Sequence, residues 1–439
     1  MRRLLLRLTC CLLSCVGSAL TAAELTEPVD VAPQASETRH QTWASAAWCE
    51  SARCWLVAWR EGYLNENVTD IWCGRISAEG KALDPKGIRL TNGGALNGRP
   101  RVASDGKSFL VVWDTLRNSS GSGKVSETDW DVLAIRVDAD GKPDRDTLKL
   151  ADGKHNQCRP DITFAKENYF VAWMEYENGA YGIQGLRVAP SGKKVDTKPA
   201  VIARFDLKNL GNFATASQAL LPVLASNQNG DLLSAFHADS MHYYRYVGRR
   251  PINATTGQPL GSPLAPRPEE KVVPGAGTGP YGGAAIALAL GTDNGLLVGR
   301  ARGEPPQKDV IVYQLSKTGD VLGSQELGSS VSLGATNAFL PRPGVSFAGK
   351  SYLVVTDGLC AVGGDSNRNI RPTLYTRVMG WKLESDGKVE DAKGFVIAGS
   401  EKRECLLPAV AAGPQGTWLV VYSENRGIDD MKLVGRLVK

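Results

Sequence analysis

The sequence predicts an all-β protein made from one four-stranded unit repeated around a ring. Three observations predict it. A short β-rich run, usually closed by an aromatic residue, recurs about every 54–66 residues. Gly or Asn turns stand at fixed places around each run. No long stretch carries the 3.6-residue apolar period of a helix. A fixed period of this length marks a repeat architecture.

The runs are WLVAW (55–59), FLVVW (109–113), YFVAW (169–173), LLSAF (232–236), LLVGR (296–300), YLVVT (352–356) and WLVVY (418–422). The fourth to sixth are degenerate, which leaves counts of six and eight open beside seven. Before each run comes a short apolar segment, often led by Pro, as in RPRVA, RPDIT, LPVLA and LPAVA. A tight turn such as SDGKS or NQNGD joins the two, and Asp-Gly and Asn-Gly steps suit hairpins. After a variable polar loop comes a third segment (DIWCGRIS, DVLAIRVD, YGIQGLRV), a second Gly turn (AEGKAL, ADGKPD, PSGKKV) and a weaker fourth segment (KGIRLT, DTLKLA, KPAVIA). Four antiparallel strands at this period form a blade of a β-propeller.

The last unit ends MKLVGRLVK and lacks a fourth segment, whereas residues 25–34, LTEPVDVAPQ, read like one. The N-terminal strand is therefore expected to complete the last blade and leave no open sheet edge at the seam. The expected fold is a single seven-bladed β-propeller over residues 24–439. The aromatic residues Trp59, Trp113, Trp173 and Tyr422, recurring at one repeat position, are expected to pack between blades.

Residues 1–23 place Arg2, Arg3 and Arg7 before an apolar run that ends in Thr21-Ala22-Ala23, the pattern of an export signal. A second reading takes LLSC, ending at Cys15, as a lipidation site, the only membrane attachment expected. The net charge of +5 includes those three arginines, so the remaining chain is nearly neutral. Without a basic stripe, nucleic acid is excluded as a partner. Exported, the protein is expected in the periplasm, on the outer-membrane surface or outside the cell, as a monomer without cofactor or metal. The Asp138–Asp144 turn and Asp365–Asn369 are oxygen-rich, but neither has the spacing of a calcium loop.

The phrases quoted above resemble the "[LF]VVW … G.RVD.DG..LD" blades of large exported bacterial repeat proteins of unassigned role. The resemblance spans nearly all of residues 25–439 and implies the propeller fold and no particular activity.

In a propeller the first strands line a central channel, and the loops between second and third strands share one face with the channel mouth. Here those loops are the long ones, so the site is expected there. Arg99, Arg159 and Arg342 precede the Pro of three first strands, and Asp114, Glu175, Asp357 and Glu424 follow second strands. Arg99, Arg159, Arg342, Asp114, Glu175 and Asp357 are the candidate ligand-binding residues. The contrasting reading is that the arginines and acids pair between blades and staple the ring. Off-register aromatics, among them Trp43, Tyr63, Trp130, Tyr176 and Tyr243, are candidates for stacking on sugar rings. His237 to Tyr246 breaks the repeat most sharply, but Ser240 lacks a nucleophile elbow, and no catalytic residue is assigned.

Six cysteines follow the signal. Cys49 and Cys54 flank the first turn and are expected to form a disulfide, with a second expected between Cys360 and Cys405; Cys73 and Cys158 are expected unpaired. The function expected is an exported binding or scaffold protein offering its long-loop face to a protein or polysaccharide. The alternative is a glycan-active hydrolase or lyase with carboxylates at the channel mouth.

Overall fold

The computed structural model describes residues 23–35, 40–62, 68–116, 130–153, 156–177, 180–206, 221–239, 245–262, 286–300, 310–328, 343–362, 373–427 and 430–439. They form seven antiparallel sheets in chain order. Blade 1 shows the pattern: Gln41–Cys49, Cys54–Glu61, Asp70–Ser77 and Ile88–Arg89 pair each with the next. Blade 4 has three strands among the described residues, Pro222–Ser226, Leu232–Asp239 and Arg245–Ile252. The innermost strand of blade 2 is broken into Leu96–Asn97 and Arg101–Ser104.

The ring closes. The first strands Gln41–Cys49, Arg101–Ser104, Asn156–Ala165, Pro222–Ser226, Ile286–Leu290, Gly344–Ala348 and Cys405–Ala412 touch in that order, and the last touches the first. The seam is as expected. Val29–Asp30 pairs with the final strand, Val29 opposite Gly435, and Val31 donates its N–H to Leu433 O at 3.0 Å. Val31 is fully buried against Trp59, Leu419 and Leu437, so the N-terminal strand is anchored by side chains as well as by the ladder.

Between blades lie the aromatics that close the second strands. Trp59 packs into the cluster shared by blades 7 and 1, Trp113 into that of blades 1 and 2, Trp173 into that of blades 2 and 3, and Tyr422 into that of blades 6 and 7. All four are buried. Truncating such a residue costs about 3–5 kcal/mol, so these clusters hold neighbouring blades together. Trp55 adds a direct bond, donating Nε1–H to Ala412 O of blade 7 at 3.1 Å.

On the short-turn face a second device repeats. Arg75, on the third strand of blade 1, forms a two-pronged ion pair with Asp84 of its own blade, Nε–Oδ2 and Nη2–Oδ1 both 2.9 Å. Its Nη1 donates to Ala139 O in the turn of blade 2 at 3.0 Å. Arg136 pairs with Asp144 and reaches Pro190 O of blade 3; Arg187 pairs with Asp196 and reaches Thr255 O of blade 4. The receiving turn carries Gly for two reasons. Gly141 has φ +84°, which L side chains rarely adopt, and a Cβ there would meet Arg75 Nε at 2.8 Å. Gly257 does the same beneath Arg187. The recurring Arg and Asp of the third strand and turn are thus a blade-to-blade latch.

Arg75 and Asp84 are both largely buried, 18% and 14% exposed. Arg75→Ala is expected to cost about 1.5–3 kcal/mol in denaturant unfolding, the range for a lost charged hydrogen-bonded pair. Asp84→Ala added to it should cost little more, giving a coupling of about 1–3 kcal/mol in the double-mutant cycle.

Candidate functional site

The first strands enter the channel through an irregular step. In blades 1, 3 and 7 the register slips between Thr42 and Ser45, Cys158 and Asp161, and Leu406 and Ala409. Within each slip one non-glycine residue has positive φ: Trp43 at 58°, Arg159 at 57° and Leu407 at 56°. Such a conformation is costly for a side chain larger than Gly and persists only where the surroundings hold it. In two blades the holding group is visible. Asp114 Oδ2, at the end of blade 2's second strand, accepts the N–H of Arg159 at 2.9 Å. Asp357 Oδ2 of blade 6 accepts the N–H of Leu407 at 2.8 Å.

The candidate acids therefore divide into two kinds. Asp114 and Asp357 stand one residue beyond the strand-closing position and reach across to the next blade's strained backbone. Glu61, Glu175 and Glu424 stand one residue further on and turn back. Glu61 accepts Trp59 Nε1–H at 3.1 Å, and Glu175 accepts Trp173 Nε1–H at 3.0 Å and Gln157 Nε2–H at 2.8 Å. Glu424 pairs with Arg426 at 2.8 Å and Arg403 at 3.5 Å. Asp114 and Asp357 thus staple neighbouring blades through bonds from acid to main-chain N–H.

Arg60 holds in blade 1 the repeat position that Asp114 holds in blade 2. Arg60, Arg99 and Arg159 lie within electrostatic range of the Asp114 carboxyl. Burial raises the Asp114 pKa, opposed by the Arg159 N–H bond and by the charges of Arg159 and Arg99. Arg60 Nε is buried without a hydrogen-bond partner among the described residues, and burial lowers the pKa of this guanidinium. The Arg99 guanidinium lies over the Trp43 indole, 3.3 Å from the ring centroid. Gly98 makes room for the cluster: its N–H bonds Asp114 O at 2.7 Å, and a Cβ there would collide with the Asp114 carboxylate. Cys158 sits beside Asp114 and Glu175, and burial together with those acids pushes its thiol up to about 12.

Trp43 also lines the central channel, a cavity of about 170 Å³. The walls are unequal. Blades 4–7 contribute Val223, Leu224, Ala287, Leu288, Val345, Leu407 and Val410, while blades 1–3 contribute Trp43, Ala44, Ser45, Ala46 and the charged Arg101 and Asp161. Arg101 Nε lies 3.4 Å from Asp161 Oδ1, whose Oδ2 accepts Leu224 N–H at 2.8 Å.

The structure thus brings together Arg99, Asp114 and Arg159, with Glu175 on their blade 3 side. Asp357 stands apart, between blades 6 and 7. Arg342, Tyr63, Tyr243, Ser240 and Asp365–Asn369 fall outside the described residues, as does the His237 side chain. Trp130 and Tyr176 pack against the core between blades 3 and 4 rather than standing clear for stacking. Asp138 accepts the N–H groups of Asp140 and Lys142 within its own turn. Arg60, Gly98 and Arg101 escaped the sequence reading; Arg60 is detectable as an arginine at the repeat position that holds Asp114 and Asp357 in two other blades. All six cysteines of residues 23–439 are thiols in this structure. Cys49 and Cys54 are cross-strand partners, whereas Cys360 and Cys405 lie in different blades and donate to Gly358 O and Arg403 O of their own segments.

No family model matches the chain, and no curated protein matches it in sequence. Solved structures match its fold. A protein of unknown function from Dyadobacter fermentans aligns at TM-score 0.50 and 10% identity, covering 95% of this chain and 99% of that one. The phage phi92 endosialidase aligns at TM-score 0.48 and 9% identity over 95% of this chain and 69% of that one. The sialidase of Trypanosoma rangeli aligns at TM-score 0.44 and 12% identity over 91% of this chain, but the match spans only 55% of that protein. Two of these three are sialidases by name, and the likeness is one of fold.

An acid whose folded-state pKa lies above its unfolded value holds its proton more tightly in the native protein. It therefore stabilises the protein below the unfolded value, and that contribution is lost as pH rises through the folded value. For Asp114 the unfolded value is 3.8. Wild-type stability is expected to carry a downward contribution above about pH 4 that Asp114→Asn removes, measured as urea-unfolding free energy across pH 4–8.

Proposed function

We propose that the protein is an exported binding protein that takes an acidic saccharide chain at the channel mouth formed by blades 1–3. One observation carries this reading: the Arg99 guanidinium lies over the Trp43 indole at the mouth, 3.3 Å from the ring centroid. A guanidinium is the side chain whose N–H fork suits a carboxylate or sulfate. The indole beside it offers an apolar face to a sugar ring. Arg60 and Arg159 raise the local positive potential, and Asp114, spent on the Arg159 backbone, only partly offsets it. The export reading of residues 1–23 and the resemblance to exported repeat proteins agree with an extracellular glycan.

A second reading, glycan hydrolysis at the same mouth, draws on one feature. Burial raises the Asp114 pKa above its ordinary value, the direction a general acid requires. Hydrolysis also needs a second carboxylate about 5–10 Å away. Glu175 is the neighbouring one, and it is held by Trp173 and Gln157. The sialidase names of structural neighbours at this identity bring no activity with them.

Sulfated and uronic-acid oligosaccharides are expected to raise the melting temperature in a concentration-dependent way, while neutral oligosaccharides of the same length do not. Arg99→Ala should weaken that binding about tenfold, or about 1.4 kcal/mol, and raising the salt should weaken the wild type. Equal affinity for neutral and acidic chains would defeat the proposal. Release of reducing ends by the wild type and its loss in Asp114→Asn would establish the hydrolase instead.

A further inference from the structure

We propose that Cys49 and Cys54 form a cross-strand disulfide that closes the first hairpin of the ring in an oxidising compartment and is then sealed inside the fold. The register supports it. Cys49 lies directly opposite Cys54 across the turn 50–53. Directly opposed residues of an antiparallel pair carry their side chains on the same face, with Cα atoms about 4.5–5.5 Å apart. That spacing lies within the window a disulfide needs, about 4.4–6.8 Å. The two thiols are near enough that Cys49 opposes ionisation of Cys54, though burial is the larger cause of the raised Cys54 pKa.

The bridge would be made early. Both residues are buried, 0% and 1% exposed, in the cluster between blades 1 and 2, with Phe109 and Trp113 of the next blade against them. No oxidant reaches them once blade 2 has docked. Before docking the hairpin is local in sequence, so its sulfurs meet without the rest of the ring. The chemistry is thiol–disulfide exchange. Two S–H bonds break and one S–S bond forms. The two electrons pass to a disulfide of the oxidant, which leaves as two thiols and takes up the two protons. Oxidised glutathione or a protein disulfide supplies that disulfide.

The bridge would also bear on the mouth. Cys49 and Trp43 share the strand Gln41–Cys49, and a one-residue slip of a strand sends its side chains to the opposite face. Pinning Cys49 to Cys54 fixes the register of that strand as far as Ser45, next to the slip that carries Trp43, and the inference does not depend on the binding proposal.

The test refolds the full chain from denaturant in a mixed glutathione buffer, then unfolds it without reductant in the presence of an alkylating agent and digests it with trypsin. Trypsin cuts after Arg53 and Arg60, so Cys49 and Cys54 fall on separate peptides, 40–53 and 54–60. The expected result is one disulfide-linked pair, lighter than the two thiol peptides by two hydrogen atoms, with Cys73 and Cys158 recovered alkylated. Native protein treated with dithiothreitol should keep the link, and protein treated in denaturant should lose it. Recovery of both peptides separately and alkylated, or linkage of Cys49 to Cys73, overturns the proposal. A link that native protein loses to dithiothreitol overturns the sealing. None of these outcomes depends on sugar binding or on export. A Cys49→Ser/Cys54→Ser variant, where it folds, should melt at one temperature with or without reductant, while the wild type melts lower after reduction in denaturant and refolding under reductant.

Discussion

Everything in this structure depends on a ring that must close. A sheet in a propeller has no partner except its neighbours, and a ring has no end at which an error can be absorbed. Two chemically different interactions share the task. Large aromatics and their aliphatic surroundings fill the wedge between blades, with Trp59, Trp113, Trp173 and Tyr422 at equivalent places. Arginines on the third strands reach the turns of the following blades, and glycine in those turns lets them in. The apolar term supplies most of the stabilisation and has no direction. The guanidinium latch is directional, and it sets where each blade stops against the next. The seam adds Val29–Asp30 and Val31, which make the first and last segments one sheet.

At the opposite face the same need for closure has a different consequence. The first strands cannot run straight into the channel, and they step through bulges where Trp43, Arg159 and Leu407 take a left-handed backbone. A carboxylate from the preceding blade holds two of those steps. This accounts for acids at the ends of second strands without assigning them to chemistry. It also explains why the side chain at the bulge is presented at the mouth: the backbone that carries it is held from below by Asp114 or Asp357.

Much of the architecture was legible in the sequence because blade packing is repetitive. The period of the aromatic-closed runs, the turn chemistry and the missing fourth strand of the last unit led to the ring and its seam. The finer logic was less legible. The Arg and Asp of "G.RVD.DG..LD" are visible as a recurring phrase. That Arg75 embraces Asp84 nine residues on, and then touches blade 2, is a fact of three dimensions. The acids looked equivalent because sequence spacing alone does not reveal that one residue of offset turns a side chain to the other face of a strand. Asp114 and Glu175 differ by that offset, and their partners differ accordingly. Trp43 reads as an off-register aromatic until the bulge aligns it with Arg99, Arg159 and Leu407.

That alignment suggests how a repeat protein acquires a site. Most positions of the unit are fixed by their neighbours: the closing aromatic by the next blade's core, the turn glycine by an incoming arginine, the Asp by a strained N–H. The residue at the first-strand step is different: Trp43 and Leu407 line the channel from it, and Arg99 lies over Trp43. Trp43 occupies it in blade 1, and Arg99, Arg159, Leu221, Arg342 and Leu407, each followed by Pro, occupy it in five other blades. Substitution there leaves the latch and the inter-blade core untouched, so the position is open to variation from blade to blade. The result is a mouth that is cationic and aromatic on the side of blades 1–3, over a channel that is aliphatic on the side of blades 4–7. A symmetric scaffold thus acquires a directional surface at the one repeat position where ring closure does not dictate the side chain.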